Sequence, residues 1–488
     1  MKFKRIILFG LALSIFAACS KTEIKKEATF LPNLKADLMK NKEKGKLIFT
    51  FASLAFTIDS DWGKGVPKEG MERIAKVAHK YDIPVTWLID PGSGKIMKNK
   101  LDEWHEKYGD DIALVWGNSH ATPTAYRDPK KALDSLKILF PWSKVELAAS
   151  GTRSNEMLQS IKNEGLSGVW GSCWEQVGID RITDRGAPWG YFYASDDNFK
   201  LPSLSGKGLV SVEWTTRDLL KALHSAAPTI YSSDPDDVGR TGLCWGDDIE
   251  YWKTMFDNYI RNISCNKFVF FPQHQEAHEM EHSAVCSAYS VEEIVSSEKM
   301  LDAFFAYVKS FGDMVEYKTI PQAVEFYKDN FTETEPSIML FDDAPARKPP
   351  FWFAAYSNRA TGPWPKTLLY YDKECQLAFI EDQFKPILHR DYINNREVYD
   401  PKYYKVEYTP EVKIKTPWEK VEFTEIPIEI ITDREMPYAV TLWYDFNRFK
   451  VKSIDGAKHI GPVENQVLLL RLNLKKGVNK IFVQLDRI

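Results

Sequence analysis

Cysteine is scarce in this chain and never arranged to grip a metal. There are 6 cysteines in 488 residues and no C-x-x-C pair. Setting Cys19 aside, Cys173, Cys244, Cys265, Cys286 and Cys375 are odd in number. They leave room for one or two disulfides in an exported protein without naming a pair, and they argue against a thiolate-held zinc. Excess charge of one sign is also lacking: 64 Lys and Arg stand against 68 Asp and Glu, a net −4. No basic run could follow a phosphate backbone, so nucleic acid is not an expected partner. Internal repeats and low-complexity stretches are absent. So are long apolar runs, apart from Ile6 to Phe16, which is shorter than the roughly 20 residues a helix needs to cross hydrocarbon.

What is present begins with that run. Lys2, Lys4 and Arg5 precede it and the small pair Ala17-Ala18 follows it, the order of a secretion signal over residues 1–18. The small-small-Cys ending resembles the bacterial lipobox, with Phe16 where leucine is usual, and makes Cys19 the residue to be lipidated. Diacyl attachment gives the two chains that stable anchoring needs. The expected location is the cell envelope, on the outer membrane, with the protein held outward by lipid. Residues 19–45 alternate lysine and glutamate with few large apolar side chains. Such a composition cannot bury a core and reads as a tether.

Two bodies follow. Over residues 46–332 short apolar runs alternate with amphipathic ones. Leu47 to Ile58, Val85 to Ile89, Ile112 to Trp116, Val145 to Ala148, Gly168 to Trp170, Leu209 to Trp214 and Phe268 to Phe271 read as strands. Met71, Ile74, Val77 and Tyr81 recur at helical spacing, as do Met157, Leu158 and Ile161, and Val291 to Phe311 is a long amphipathic helix. The expected fold class is α/β, a (β/α)7–8 barrel, which commonly takes ~250 residues. Over residues 336–488 the strands are short and rich in Val, Ile, Tyr, Phe and Trp, for example Val412 to Ile414, Ile426 to Ile431, Ala439 to Trp443, Val467 to Leu472 and Lys480 to Leu485. That pattern predicts an all-β, sandwich-like domain.

In a parallel barrel the reacting groups gather where strands end. Four such places carry polar residues. Thr57-Ile58-Asp59-Ser60-Asp61-Trp62 sets two carboxylates at the end of the first strand, one able to hold a metal while the other takes a proton; the alternative is a helix cap or Asx turn. Trp116-Gly117-Asn118-Ser119-His120 offers an imidazole after the third strand. In Ala149-Ser150-Gly151-Thr152-Arg153, Arg153 could orient Asp59 or bind a substrate oxygen. Finally, Phe270 to His282 spaces His274, His278 and His282 at intervals of four. Within it, His278-Glu279-Met280-Glu281-His282 matches H-E-x-x-H, the zinc-protease helix, although its flanks are polar; a merely solvated His/Glu stretch is the other alternative. His274, or His278, acting at a strand end is the preferred reading.

Taken in order, these residues resemble the NodB-type polysaccharide deacetylases, over roughly residues 46 to 330. The resemblance implies a barrel of the glycoside hydrolase/deacetylase type with Asp59 as catalytic base and Asp61 and His120 on a divalent metal, zinc being the first expectation. It makes Arg153 the residue that orients the base, with the rhythm from Asn155 to Gly165 following it, and His274 the general acid. The second metal histidine of that family would fall on Thr124, so His274, His278 or water must replace it; His278 is taken as the replacing ligand. The implied reaction is metal-assisted deacetylation of a glycan. The whole chain also resembles two-domain lipoproteins of glycan-degrading gut bacteria, which supplies a setting but no reaction. A glycosidase on a related barrel is the first alternative, with Glu175 or Glu213 beside Asp59. The second is a binding protein using Trp352, Phe353, Tyr356, Trp364, Tyr370 and Tyr371, which can stack on sugars, although such a cluster more often serves a core or interdomain seam.

Overall fold

The computed structural model describes residues 45–60, 63–116, 128–150, 154–172, 190–196, 203, 208–216, 234–240, 243–264, 266–287, 289–332, 334 and 338–341. Beyond these it describes 367–372, 377–380, 390–391, 396–397, 413–415, 425–432, 435–443, 449–459 and 467–488. The leader, Cys19 and residues 19–44 of the tether lie outside the described residues.

β1 (Lys46–Leu54) is buried almost throughout, as a parallel strand covered on both faces must be. Its side chains alternate between two clusters: Leu47, Phe49 and Phe51 face one, Ile48 and Ala52 the other. A short hairpin follows, β2 (Ile58–Ser60) and β3 (Gly63–Gly65). Then helices and strands alternate: α1 (Lys68–His79), β4 (Val85–Ile89), α2 (Pro91–Tyr108), β5 (Asp111–Val115), α3 (Pro129–Leu139), β6 (Leu147–Ala149), α4 (Asn155–Asn163) and β7 (Gly168–Ser172). β8 (Tyr191–Tyr193), β9 (Val210–Glu213), α5 (Pro235–Arg240), α6 (Glu250–Arg261), β10 (Phe268–His274), α7 (Val291–Lys309), β11 (Val315–Lys318) and α8 (Ile320–Asn330) complete this body.

The nine-stranded sheet runs β10-β1-β4-β5-β6-β7-β9-β8, with β11 also on β1. Every pairing is parallel except β8 against β9. The inner cluster joins Ile48, Ala52, Leu88, Val115, Leu147, Trp170, Val210 and Val212 to Ile320, Ala323, Val324 and Tyr327 of α8. That helix therefore plugs one end. It is the end where strands begin, because Ile320 N–H donates to Thr86 Oγ1 at 2.8 Å near the start of β4. The opposite end, where strands finish, carries the loops.

The sheet curls into a barrel that is incompletely laddered. No strand pairing joins β9 or β8 to β10 among the described residues. At that seam Thr216 donates its N–H and Oγ1 to the Pro272 carbonyl at 2.7 and 2.8 Å, and Tyr191 stacks on Phe270 with centroids 4.2 Å apart. The expected alternation of strands and helices is present; among the described residues a fully hydrogen-bonded ring is not.

One boundary differs from expectation in a way that matters. The apolar run Leu47 to Ile58 is not one strand, since β1 stops at Leu54 and β2 begins a separate hairpin. Asp90, the N-cap of α2, accepts bonds from Thr57 N–H at 3.1 Å and Thr57 Oγ1 at 2.9 Å. These turn the chain out of the sheet. The hairpin then docks on the loop after β10, with Lys64 N–H donating to Val285 O at 2.7 Å. Gly63 permits the approach: a Cβ there would lie 1.9 Å from Val285 O.

The C-terminal region forms antiparallel sheets. β12 (Ile338–Phe341), β13 (Thr367–Asp372) and β14 (Leu377–Ile380) make one, and β15 (Arg390–Asp391) pairs with β16 (Arg396–Glu397). β17 (Lys413–Lys415) and β18 (Glu425–Thr432) lie beside β23 (Gly477–Arg487) and β20 (Phe449–Asp455), while β22 (Val467–Leu474) pairs with β19 (Met436–Trp443) and β21 (Lys458–His459). Burial alternates with period two: Ile426, Ile428 and Ile430 on β18, and Ile481, Val483 and Leu485 on β23. Each of these strands thus presents one apolar face.

Candidate active site at the open end of the barrel

β10 is apolar from Phe268 to Phe271 and ends on Gln273 and His274. Its register with β1 sets His274 opposite Ala52, an inward-facing residue of the inner cluster. His274 is fully buried. Trp170 and Trp214 flank it, with ring centroids 5.1 and 5.8 Å away. Its Nδ1 lies 3.0 Å from Asp234 Oδ2 and 2.9 Å from Trp214 Nε1. An indole N–H can only donate, whereas a carboxylate can only accept unless protonated. Nδ1 cannot satisfy both at once. A charge-assisted bond is roughly twice as strong as a neutral one, so the proton belongs on Nδ1 facing Asp234, and Nε2 is left to accept or carry a second proton. Asp234 is buried beside α5, which starts with Pro235.

The other predicted residues fall as follows. Asp59 sits on β2 opposite Lys64, whose Nζ is 3.5 Å from its carboxylate, and its side chain is 50 % exposed. Such an exposed pair contributes about 0–1 kcal/mol and exchanges easily. Asp61, His120 and Arg153 lie outside the described residues, as do Thr124 and Glu175. Ser154, beside Arg153, caps α4 by accepting the Met157 N–H at 3.2 Å.

His278 rides a single 3-10 turn, Ala277–Met280, immediately after β10. This corrects the H-E-x-x-H reading. One short turn cannot place residues four apart on one face of an α-helix, and His282 points elsewhere, its Nδ1 2.7 Å from Tyr289 O. Instead His278 Nε2 lies 2.9 Å from Glu276 Oε2. Glu276, His278 and Glu279 bring one ligand atom each within 4.8 Å of one another. Glu279 is held from behind by Gln275 Nε2 at 2.8 Å. Two carboxylates and a buried imidazole are a donor set that fits a divalent ion.

Gly70 lets the turn dock on α1: a Cβ there would stand 1.8 Å from Ala277 O. The hairpin of Asp59, the turn of His278 and the end of β10 are thereby fastened together through the loop 275–286. Glu213, the alternative glycosidase carboxylate, is buried at the end of β9, where the register with β7 shifts. Of the aromatic candidates for a binding surface, Tyr370 and Tyr371 fall within β13, and Trp352, Phe353, Tyr356 and Trp364 lie outside the described residues. Cys244 and Cys286 are both buried, and no disulfide joins the two. Sequence reasoning missed Asp234, Asp90 and Glu276. Asp234 precedes a proline at a helix start, the signature of an ordinary cap.

No protein-family profile matches the sequence, and no curated protein does. Among solved structures the chain is similar to a protein of Parabacteroides distasonis provisionally named a glycoside hydrolase/deacetylase. The identity is 14 %, 72 % of this chain and 82 % of that one are covered, and the TM-score is 0.51. The likeness is one of fold. Weaker matches are a provisionally named polysaccharide deacetylase of Mycobacterium smegmatis (11 % identity, 60 % and 94 % covered, TM-score 0.35) and Puue allantoinase (13 %, 60 % and 93 %, 0.40).

Proposed function

We propose that the chain is a carbohydrate-directed hydrolase that removes acetyl groups from a glycan. The observation that carries this reading is His274, enclosed by two tryptophans at the inner end of β10 with Asp234 against Nδ1. A parallel barrel brings its chemistry to that end, and the Parabacteroides distasonis protein of like fold bears a compatible name. In this reading Asp59 takes the proton of the attacking water and Arg153 orients it. His274 then delivers a proton from Nε2 to the leaving sugar oxygen or amine, while Asp234 stabilises the imidazolium. A divalent ion, zinc first, would be held by Asp61, His120 and His278, with Glu276 and Glu279 at hand. Bound there, it would supply Lewis-acid polarisation and acidify water. Trp170 and Trp214 exclude bulk water around the imidazole, which strengthens its interaction with Asp234.

The setting belongs to the same proposal: a lipid on Cys19, an envelope location, residues 19–45 as tether, and the C-terminal sheets stacked as a sandwich. The deciding experiment follows acetate and new reducing ends together on acetylated polysaccharides. Acetate should appear without chain cleavage, and both Asp59→Asn and His274→Gln should abolish it. Reducing ends without acetate would overturn the proposal. Metal analysis should find about one divalent ion per chain and less in His278→Ala.

A further inference from the structure

The segment between α5 and α6 displays a tryptophan. Trp245 is 44 % exposed, yet its backbone is pinned: its N–H and C=O exchange bonds with Asp248 at 3.0 Å each. Gly246 follows at φ +57°, a conformation that L side chains rarely adopt. The Gly246 N–H donates to the buried Ser296 Oγ of α7 at 2.8 Å. Beneath the indole lies Gly239, where an added Cβ would meet Cε3 and Cζ3 at 4.0 Å. Gly239 is in α5, five residues beyond Asp234, so about 7 Å of helix rise separates the indole's support from the partner of His274. Asp247 and Asp248, both exposed, belong to the same turn. A lone exposed apolar residue needs no explanation. A tryptophan fixed by a bridged turn that also carries two exposed carboxylates combines an apolar plate for a sugar face with acceptors for hydroxyls.

We infer that Trp245, Asp247 and Asp248 form a sugar-ring subsite beside the candidate active site, taking a neighbouring unit of an extended glycan. The inference rests on the carbohydrate reading above and makes the substrate a chain of sugars rather than a single one. Its test is retardation of the full chain in native gels cast with soluble polysaccharides (acetylated xylan, glucomannan, pectin and glycol chitin), run beside the acetate assay. Trp245→Ala should weaken retardation about tenfold, the size of one aromatic contact. Trp245→Phe should retain part of it, and Ile138→Ala, at another exposed apolar residue, all of it. Equal retardation of wild type and Trp245→Ala would overturn the subsite and leave the deacetylase proposal standing. So would no retardation of wild type in any gel if acetate were still released. Retardation lost in Trp245→Ala without acetate release by wild type would keep the subsite and sink the deacetylase.

Discussion

At Nδ1 of His274 a carboxylate and an indole N–H meet one nitrogen, and the charge of Asp234 decides which way its proton faces. Asp234→Asn keeps the size and removes the charge. It should lower kcat by about 10²–10⁴ with little change in KM, because the imidazolium formed during proton transfer loses its partner. Adding His274→Gln to it should cost nothing further than His274→Gln alone, since the two residues act as a unit; steady-state acetate release measures both. His274 was legible in the sequence because it ends the most apolar strand. Asp234 was not: its contact spans 40 residues, and in sequence it resembles a helix cap. A second buried carboxylate sits away from the site. Asp257 on α6 accepts a bond from Tyr307 Oη at 2.6 Å, and burial pushes it up to about 6. Between its ordinary value near 4 and about 6 the folded chain binds more protons than the unfolded one, so this group's stability contribution falls as pH rises through that window. Asp257→Asn should remove the slope, gaining on wild type at pH 7.5 in urea unfolding and showing no gain at pH 4. An advantage that did not depend on pH would refute this assignment.

Elements were legible wherever one periodicity ran unbroken. β4 matches its apolar run residue for residue, and the long helix α7 starts at Val291 behind a Ser290–Glu293 capping box. The hairpin at 58–65 escaped because Leu47 to Ile58 is interrupted only by the small hydroxyl residues Thr50, Ser53 and Thr57, and what turns the chain out of the sheet is Asp90, 33 residues beyond Thr57. A tertiary bond overrides local pattern there. The turn at 277–280 escaped for the opposite reason: its sequence matches a helical motif, while its docking on Gly70 leaves space for only one turn. That docking gives a prediction. Gly70→Ala drives a Cβ into the Ala277 carbonyl and should destabilise the chain by about 2–4 kcal/mol, while also displacing His278 and reducing bound metal. An unchanged denaturation midpoint would show that the turn moves aside freely.

Across the whole molecule, the parallel strands follow the order in which the sequence announces them, and α8 seals the end away from the loops. Of the strands described in the C-terminal region, β18 and β23 were likewise visible in their alternating Ile, Val and Leu. What composition could not convey is the seam between β9 and β10, where Thr216 reaches Pro272. Trp214 packs on His274 across the same line, their ring centroids 5.8 Å apart. The candidate acid is therefore also a fastener of the barrel wall, and catalysis becomes a gauge of its closure. On heating, the seam should part before the laddered strands separate. Acetate release should then vanish several degrees below the unfolding transition seen by circular dichroism. Thr216→Val, which removes one of the Pro272 bonds, should widen that interval more than it lowers the transition itself. An enzyme of this build would be silenced by warmth while still folded, and would recover on cooling without having to refold.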